Sequence, residues 1–151
     1  KVQLLHPGGS SEATENTMAG FKSAQNHGCQ MIELDVQLTR DGRCVVFHDP
    51  SLQRTSLARD VRNVGEVDYD ELKTIHLRHR PENMFEQSSN AVDEPATETI
   101  PLLEDVLVAF GQRMAMHIDV KTGGTKIICE LDRLIRVHDL EGSVVWGSPS
   151  E

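Results

Sequence analysis

Two carboxylates and a histidine lie in a short stretch with the pattern of two strands joined by a turn. Glu33 and Asp35 are separated by one residue, so both side chains lie on the same face of an extended strand. His48 follows a second apolar run, which begins after the reversal signal Asp41-Gly42. Carboxylate ligands suit a hard cation such as Mg²⁺ or Ca²⁺, and an imidazole can act as acid or base. Taken alone, the stretch also fits an ordinary amphipathic hairpin with a polar outer face.

Further candidate residues lie at the ends of two other predicted strands. His6 ends the apolar run at residues 2–6, and Asp119 and Lys121 share one face of the strand predicted over 114–120. With Glu33 and Asp35, Asp119 makes a set of three inward carboxylates. Burying unpaired negative charge is costly, and one divalent cation would satisfy all three carboxylates. An internal ion pair between Asp119 and Lys121 is the alternative.

The elements that position these residues alternate between strand and helix, which predicts an α/β fold with a parallel sheet. Thr17 or Asn16 is expected to cap a helix that ends near Gly28, and Tyr69–Ile75 is expected to form a short helix. A helix follows Pro101. The clearest amphipathic helix contains five apolar residues at helical spacing: Ile127, Ile128, Leu131, Leu134 and Ile135. Residues 143–146 form the last predicted strand.

Composition restricts the classes of function. The chain has 151 residues, of which 38% are hydrophobic, and a formal net charge of −9. This charge argues against a nucleic-acid or anionic membrane surface. Cys29, Cys44 and Cys129 are expected to be free thiols, mostly buried. The segment is expected to be soluble because no apolar run approaches the roughly 18 residues of a membrane span; the compartment, cytoplasmic or membrane-anchored, is left open.

Several motifs occur in a fixed order between residues 3 and 55: H-x-G-G, E-N-T-x-x-x-F, E-L-D-V-x-L-T-x-D-G-x-x-V-V-x-H-D and L-x-R-T. In this order and spacing they resemble the glycerophosphodiester phosphodiesterase family, and the resemblance returns near residues 118–121. The family fold is a (β/α)₈ TIM barrel, which takes roughly 250 residues. The resemblance therefore implies that residues 1–151 are about the first half of such a barrel, with an irregular inserted segment at about 56–100.

The resemblance also implies a role for each candidate residue. The ligands of one divalent cation, Mg²⁺ or Ca²⁺, would be Glu33, Asp35 and Asp119. His6 and His48 would be the catalytic acid and base, and Lys121 would bind the substrate phosphate. Asp119 stands where many members of the family carry Glu, so it keeps the charge but has a shorter reach.

The implied reaction is metal-dependent hydrolysis of the phosphodiester bond of glycerophosphodiesters or lysophospholipids. The products would be an alcohol with glycerol 3-phosphate or lysophosphatidic acid. Several stretches, including that around Ile118–Lys121, resemble the eukaryotic branch associated with lysophospholipase D activity. Pro7, however, stands where the family has an arginine that grips the phosphate. The alternative is therefore a weakened or inactive relative that binds a phosphodiester or a protein partner.

A partial barrel has one further implication. Its outermost strand has no neighbour on one side, and an open strand edge is a template for pairing with another chain. Self-association through this open barrel edge is therefore expected.

Overall fold

A mixed four-stranded sheet lies at the centre of the computed structural model, which describes residues 14–78 and 98–147. Its strands are β1 (Met31–Leu38), β2 (Cys44–Val46), β3 (Ala115–Val120) and β4 (Val144–Gly147), in the order β2-β1-β3-β4. The pair β1–β2 is antiparallel, whereas β1–β3 and β3–β4 are parallel. The predicted strand at residues 2–6 lies outside the described residues.

The predicted hairpin is confirmed. Val36 of β1 pairs with Val46 of β2. In the turn, the backbone N of Gly42 donates to the Thr39 carbonyl over 2.9 Å. Gly42 has a φ of +80°, a conformation that glycine adopts without steric cost.

The helices in the described part of the chain are α1 (Met18–Asn26), α2 (Tyr69–Leu72), α3 (Leu103–Phe110) and α4 (Gly124–Val137). Thr17 is the N-cap of α1, since its side chain accepts a hydrogen bond from the backbone N of Gly20 over 3.1 Å. The helix predicted over Tyr69–Ile75 is a single turn. After it, the backbone N atoms of Thr74 and Ile75 donate to the carbonyls three residues earlier, each over 3.0 Å, so the chain continues as a tighter turn and not as an α-helix.

The apolar core has two parts, one on each side of the hairpin. Ile32, Leu34 and Val36 of β1 are fully buried in the larger cluster, together with apolar residues of α1, α3 and α4. The smaller cluster contains Val45 and Phe47 together with apolar residues of the segment that follows. Because Val45 and Phe47 alternate with Val46, the two clusters pack on opposite faces of β2.

Two sequence predictions about burial are wrong. Ile128 is 38% exposed because it lies beside, rather than within, the stripe of α4 that carries Ile127 and Leu131. Cys129, the next residue, is also exposed. All three cysteines are free, as predicted; Cys44 is buried, and burial raises its pKa to about 12.

The segment after the hairpin is irregular, as the sequence predicts. It contains a 3₁₀ turn at Val64–Glu66 and short bridges such as Ser56 to Leu77 and His76 to Thr99. An inserted segment at about 56–100 stays a prediction, since residues 79–97 lie outside the described part. Across the residues that the structure describes, no helix combines the length and the apolar content needed to cross a membrane.

Candidate active site

The parallel register of β1 and β3 places the predicted polar residues side by side. Glu33 lies opposite His117, and Asp35 lies opposite Asp119. The residues between them, such as Ile118, are buried in the core on the other face. The predicted alternation is therefore confirmed, and the sheet has a polar face formed by β1 and β3.

Asp35 is the most deeply buried of these carboxylates, with 2% of its surface exposed. One of its oxygens, Oδ2, accepts a hydrogen bond from Asn16 Nδ2 over 2.9 Å. Burial alone would raise the pKa of Asp35, but the hydrogen bond from Asn16 and the charge of Lys121 hold it below its ordinary value. Asp35 is therefore ionised at neutral pH despite its burial.

Asn16 reaches Asp35 from an unusual backbone conformation, with a φ of +56°. This left-handed region is one that asparagine tolerates better than most residues. Asn16 is itself buried, and its Oδ1 accepts from the backbone N of Asp35 over 3.4 Å. The loop before α1 is therefore tied to both the side chain and the backbone of Asp35.

The Lys121 ammonium joins two of the predicted metal ligands. Its Nζ lies 3.0 Å from Asp35 Oδ1 and 2.5 Å from Asp119 Oδ2. Burial opposes the positive charge, but the two carboxylates outweigh it and raise the pKa of Lys121. The ion pair considered as the alternative for Asp119 and Lys121 is thus present, and it includes Asp35 as well.

Glu33 is half-buried and makes no hydrogen bond or ion pair with the residues that the structure describes. Within residues 14–78 and 98–147, no three Asp, Glu, His or Cys side chains are grouped closely enough to hold a metal ion. The structure thus brings Asp35 and Asp119 together through Lys121 but does not bring Glu33 to them. The donor set itself, all oxygen and strongly acidic, fits Mg²⁺ or Ca²⁺.

His48 lies in the turn that follows β2. Its side chain is 44% exposed, and its Nδ1 is 2.7 Å from Asp49 Oδ1. The buried Gln37 amide lies under this turn, where its Nε2 is within hydrogen-bond distance of three successive carbonyls. They belong to Phe47 (2.9 Å), His48 (3.1 Å) and Asp49 (2.7 Å). Strand β1 therefore fixes the backbone that carries His48.

Arg54 adds a second support to the same turn. Its guanidinium donates to both oxygens of Asp49, and its Nη2 also contacts Glu15 in the loop before α1. Burial alone would raise the pKa of Asp49, but the hydrogen bonds from Arg54 and His48 lower it. Arg54, the arginine of the L-x-R-T motif, is therefore paired with two carboxylates.

Four supporting residues were not predicted from the sequence: Asn16, Gln37, Asp49 and Glu15. Glu15, Asn16 and Asp49 are specified positions of the motifs E-N-T and H-D, so the motifs contained a signal for them, whereas Gln37 stands at the unspecified position x of E-L-D-V-x-L. His6 and Pro7 lie outside the described residues. Their proposed roles stay predictions.

Comparison with known proteins identifies relatives across nearly the whole chain. Residues 6–148 match the sequence model of the glycerophosphoryl diester phosphodiesterase family. Lysophospholipase D GDPD1 of Rattus norvegicus is 33% identical over 147 residues, which are 97% of this chain and 45% of that protein. A glycerophosphodiester phosphodiesterase of Bacillus altitudinis is 40% identical over 118 residues, 78% of this chain and 43% of that protein. The chain therefore spans less than half the length of these relatives.

Solved structures give the same result for the fold. A phosphodiesterase from Oleispira antarctica, solved with the product sn-glycerol-3-phosphate, matches with a TM-score of 0.75 and 26% identity over 93% of this chain and 54% of that one. A glycerophosphodiester phosphodiesterase from Agrobacterium tumefaciens matches with a TM-score of 0.74 and 26% identity over 91% and 53%. These neighbours are TIM barrels, so the predicted partial barrel is confirmed. On its sequence match, its motifs and its fold, this chain belongs to the glycerophosphoryl diester phosphodiesterase family.

Proposed function

We propose that this protein hydrolyses the phosphodiester bond of a glycerophosphodiester or a lysophospholipid, with one divalent cation as cofactor. The observation that carries this proposal is the convergence of two carboxylates from different strands, Asp35 and Asp119, on one positive charge. Ionised carboxylates are costly to bury next to each other without positive charge; Lys121 supplies one such charge, and a divalent cation at the same carboxylates would supply more.

The cation would be held by Glu33, Asp35 and Asp119. A bound cation would neutralise the phosphoryl oxygens as negative charge develops on them. Members of this family are generally dependent on a divalent cation, which supports the assignment. The all-oxygen donor set suits Mg²⁺ and Ca²⁺ alike, so either ion fits the site.

Lys121 has a separate role in this proposal. Its ammonium lies at the rim of the polar face, beside both carboxylates, and would bind a non-bridging phosphate oxygen of the substrate as a point charge. Asn16 keeps Asp35 in place while Lys121 is engaged by the substrate, because its hydrogen bond reaches the other oxygen of that carboxylate.

His48 and His6 would transfer the protons. One imidazole removes the proton of the attacking hydroxyl, and the other protonates the leaving alkoxide, so that no strongly basic alkoxide is released. The partial exposure of the His48 ring leaves it accessible to a substrate.

The relatives suggest a substrate class. Those that match over nearly all of this chain include the GDPD1 proteins named lysophospholipase D, whereas the bacterial match covers less of it. We therefore infer activity on lysophospholipids that gives lysophosphatidic acid, beside activity on glycerophosphodiesters that gives glycerol 3-phosphate.

The second candidate function is a weakened or inactive relative that binds a phosphodiester or a protein partner. Pro7 favours it, since proline offers neither the charge nor the forked donors of an arginine. Arg54 does not readily replace that arginine, because its donors are already engaged by Asp49 and Glu15.

A turnover assay tests both candidates. The full chain is incubated with glycerophosphocholine or lysophosphatidylcholine, with Mg²⁺, Ca²⁺ or chelator, and choline release is measured. We expect release that chelation abolishes and that His48→Ala reduces strongly. His27→Ala is the matched control, because His27 is an exposed histidine whose Nδ1 lies 2.8 Å from the Ser23 carbonyl of its own helix.

Each outcome has a distinct meaning for the two candidates. Choline release that is indifferent to both chelation and His48→Ala contradicts the hydrolytic proposal. No release from the natural chain, with release restored in Pro7→Arg, favours the weakened relative. No release from either, with retained binding of glycerol 3-phosphate, favours the inactive binding protein.

Self-association is a further part of this proposal. Within the described residues β4 pairs only with β3, and Val145 and Trp146 of β4 are exposed large apolar residues. An open strand edge with exposed apolar side chains favours pairing with another chain. Sedimentation over a range of protein concentrations measures whether such assembly occurs.

A further inference from the structure

The Asp49 carboxylate contacts both the His48 ring and the Arg54 guanidinium. Its Oδ1 is 2.7 Å from His48 Nδ1 and 3.0 Å from Arg54 Nη2, and its Oδ2 accepts from Arg54 Nε. Both carboxylate oxygens are therefore engaged, and the forked contact with the guanidinium fixes the plane of the carboxylate. His48 contacts a carboxylate that cannot rotate freely.

The charge of Asp49 determines which nitrogen of His48 carries the proton. Arg54 stabilises the ionised form of Asp49, and an ionised carboxylate can only accept hydrogen bonds. A contact of 2.7 Å between Asp49 Oδ1 and His48 Nδ1 then requires a hydrogen atom on Nδ1. In the neutral ring, Nε2 is consequently the nitrogen with a free lone pair.

We propose that Asp49 is the positioning residue of His48: it holds the Nδ1–H tautomer, clamped by Arg54, so that Nε2 is the atom that exchanges protons with the substrate. This inference rests on the proposed function for its catalytic part, whereas the tautomer itself does not depend on turnover.

The proton balance is the same in either role of His48. As a base, Nε2 takes the proton of the attacking hydroxyl, and the positive charge that forms on the ring lies against the Asp49 carboxylate. As an acid, Nε2–H gives its proton to the leaving oxygen, and the ring returns to the neutral Nδ1–H form. In both directions Asp49 keeps its charge and accepts one hydrogen bond.

The residues that hold His48 and Asp49 in place also contact the elements that carry the Asp35 carboxylate. Gln37 holds the backbone of residues 47–49 on β1, the strand that also carries Asp35. Arg54 contacts Glu15, and the neighbouring residue Asn16 binds Asp35. The strand β1 and the loop before α1 therefore position both the turn that carries His48 and the Asp35 carboxylate.

The test is the tautomer of His48, measured by ¹⁵N NMR on the full chain labelled at histidine, at a pH where the ring is neutral. His48→Gln assigns the signals by their disappearance. We expect the Nδ1–H tautomer in the natural chain. Asp49→Asn keeps the shape but can present an N–H₂ group to Nδ1, so the signals should change to the Nε2–H pattern. Asp49→Glu keeps the charge and should retain the Nδ1–H pattern at least in part.

Turnover of the same variants gives the second measurement. Asp49→Asn should lower kcat by about 10²–10⁴-fold, the range for losing a correctly oriented acid–base group, with little change in KM. Asp49→Glu should recover part of that loss. Asp68→Asn is the matched control, since Asp68 is held by Arg40 through the same forked contact but contacts no histidine of residues 14–78 or 98–147.

Failure of this inference and failure of the proposed function are distinguishable. A natural chain without turnover whose His48 is still Nδ1–H, and changes in Asp49→Asn, supports the inference while the proposed function fails. An Nε2–H pattern in the natural chain, or a pattern unaffected by Asp49→Asn, overturns the inference whatever the turnover. Equal losses of kcat in Asp49→Asn and Asp68→Asn also overturn it.

Discussion

The two faces of β1 differ completely in what surrounds them. On one face, Ile32 and Leu34 are fully buried in the apolar cluster that also contains residues of α1, α3 and α4. On the other face, Glu33 is half-buried without a partner among the described residues, and Asp35 is buried among an amide and an ammonium group. One strand of eight residues therefore supports the core and the site at the same time.

Because of this difference, adjacent residues of β1 serve different purposes: those on the apolar face stabilise the fold, and those on the polar face form the candidate site. The apolar face gains its free energy from burial, which depends on shape and volume. The polar face gains little net free energy, since each buried charge must be compensated before it can act. Neighbouring substitutions on β1 should consequently have opposite effects on folding and on turnover.

Leu34→Ala should have the largest effect on stability. Removing a fully buried leucine side chain leaves a cavity against the helices, and the free energy of unfolding should fall by about 2–5 kcal/mol. Urea unfolding measures the change, and turnover per folded molecule should be unaffected. Val61→Ala, at a well-exposed position, is the control. Equal losses for both variants would mean that burial on this face does not stabilise the fold.

Glu33→Gln should give the opposite result, with turnover lowered about 10²-fold or more and unchanged stability. The amide keeps the size of the side chain but loses the charge that the proposed cation needs. This loss should raise the activation free energy of hydrolysis by several kcal/mol. Choline release at saturating Mg²⁺ or Ca²⁺ measures it, with urea unfolding in parallel. A variant with full turnover would exclude Glu33 from the site.

Lys121→Met should lower stability in a pH-dependent way. At neutral pH the variant leaves the ionised Asp35 with less compensation, so the free energy of unfolding should fall by about 1–3 kcal/mol. The pKa of Asp35 is lowered in the folded protein, so its stabilising effect is present above the unfolded pKa and is lost as pH falls through the folded value. The difference between variant and natural chain should therefore shrink below about pH 4.

Urea unfolding at pH 7 and pH 3 measures this difference. Lys22→Met is the control, because Lys22 is exposed and its ammonium donates to the neutral Gln25 side chain over 2.9 Å. A Lys121→Met effect that is the same at both pH values would show that lost packing, and not lost charge, is responsible.

Ile128→Gln should have the smallest effect. Ile128 lies at the border of the buried stripe of α4, so this change should alter the free energy of unfolding by no more than about 0.5 kcal/mol. Ile127→Ala, in the middle of that stripe, should cost about 2–5 kcal/mol in the same urea experiment. Similar losses in the free energy of unfolding for the two variants would show that Ile128 packs in the core, as the sequence predicts.

The sequence predicts the elements of the fold well, and the reason is local. The alternation in β1 and the Asp41-Gly42 turn specify the hairpin within about twenty residues, since strand period and turn chemistry are short-range properties. The end of α2 is predicted less accurately, because the backbone bonds of Thr74 and Ile75 change to the tighter i−3 pattern, which apolar periodicity does not distinguish from an α-helix. The exposure of Ile128 depends on how far the packing of α4 extends around the helix, which periodicity does not specify.

The candidate site could be predicted only as a set of residue types. Alternation correctly placed Asp119 and Lys121 on one face, but it could not show that Lys121 bridges to Asp35 on the neighbouring strand. The contacts of Gln37 with the turn after β2, and of Arg54 with Glu15, join residues far apart in sequence. Such contacts depend on tertiary packing and leave no periodic signal.

The register of β1 against β3 has a consequence for how this protein can vary. Asp35 and Asp119 lie opposite each other in a parallel pair, although most of the chain separates them in sequence. Doubling the length of a connection adds only about 0.6 kcal/mol of closure entropy. Where this connection carries neither the turn of His48 and Arg54 nor buried core residues, it is consequently free to lengthen or shorten during evolution, and new substrate contacts can arise there while the strand pairing preserves the spacing of the two carboxylates.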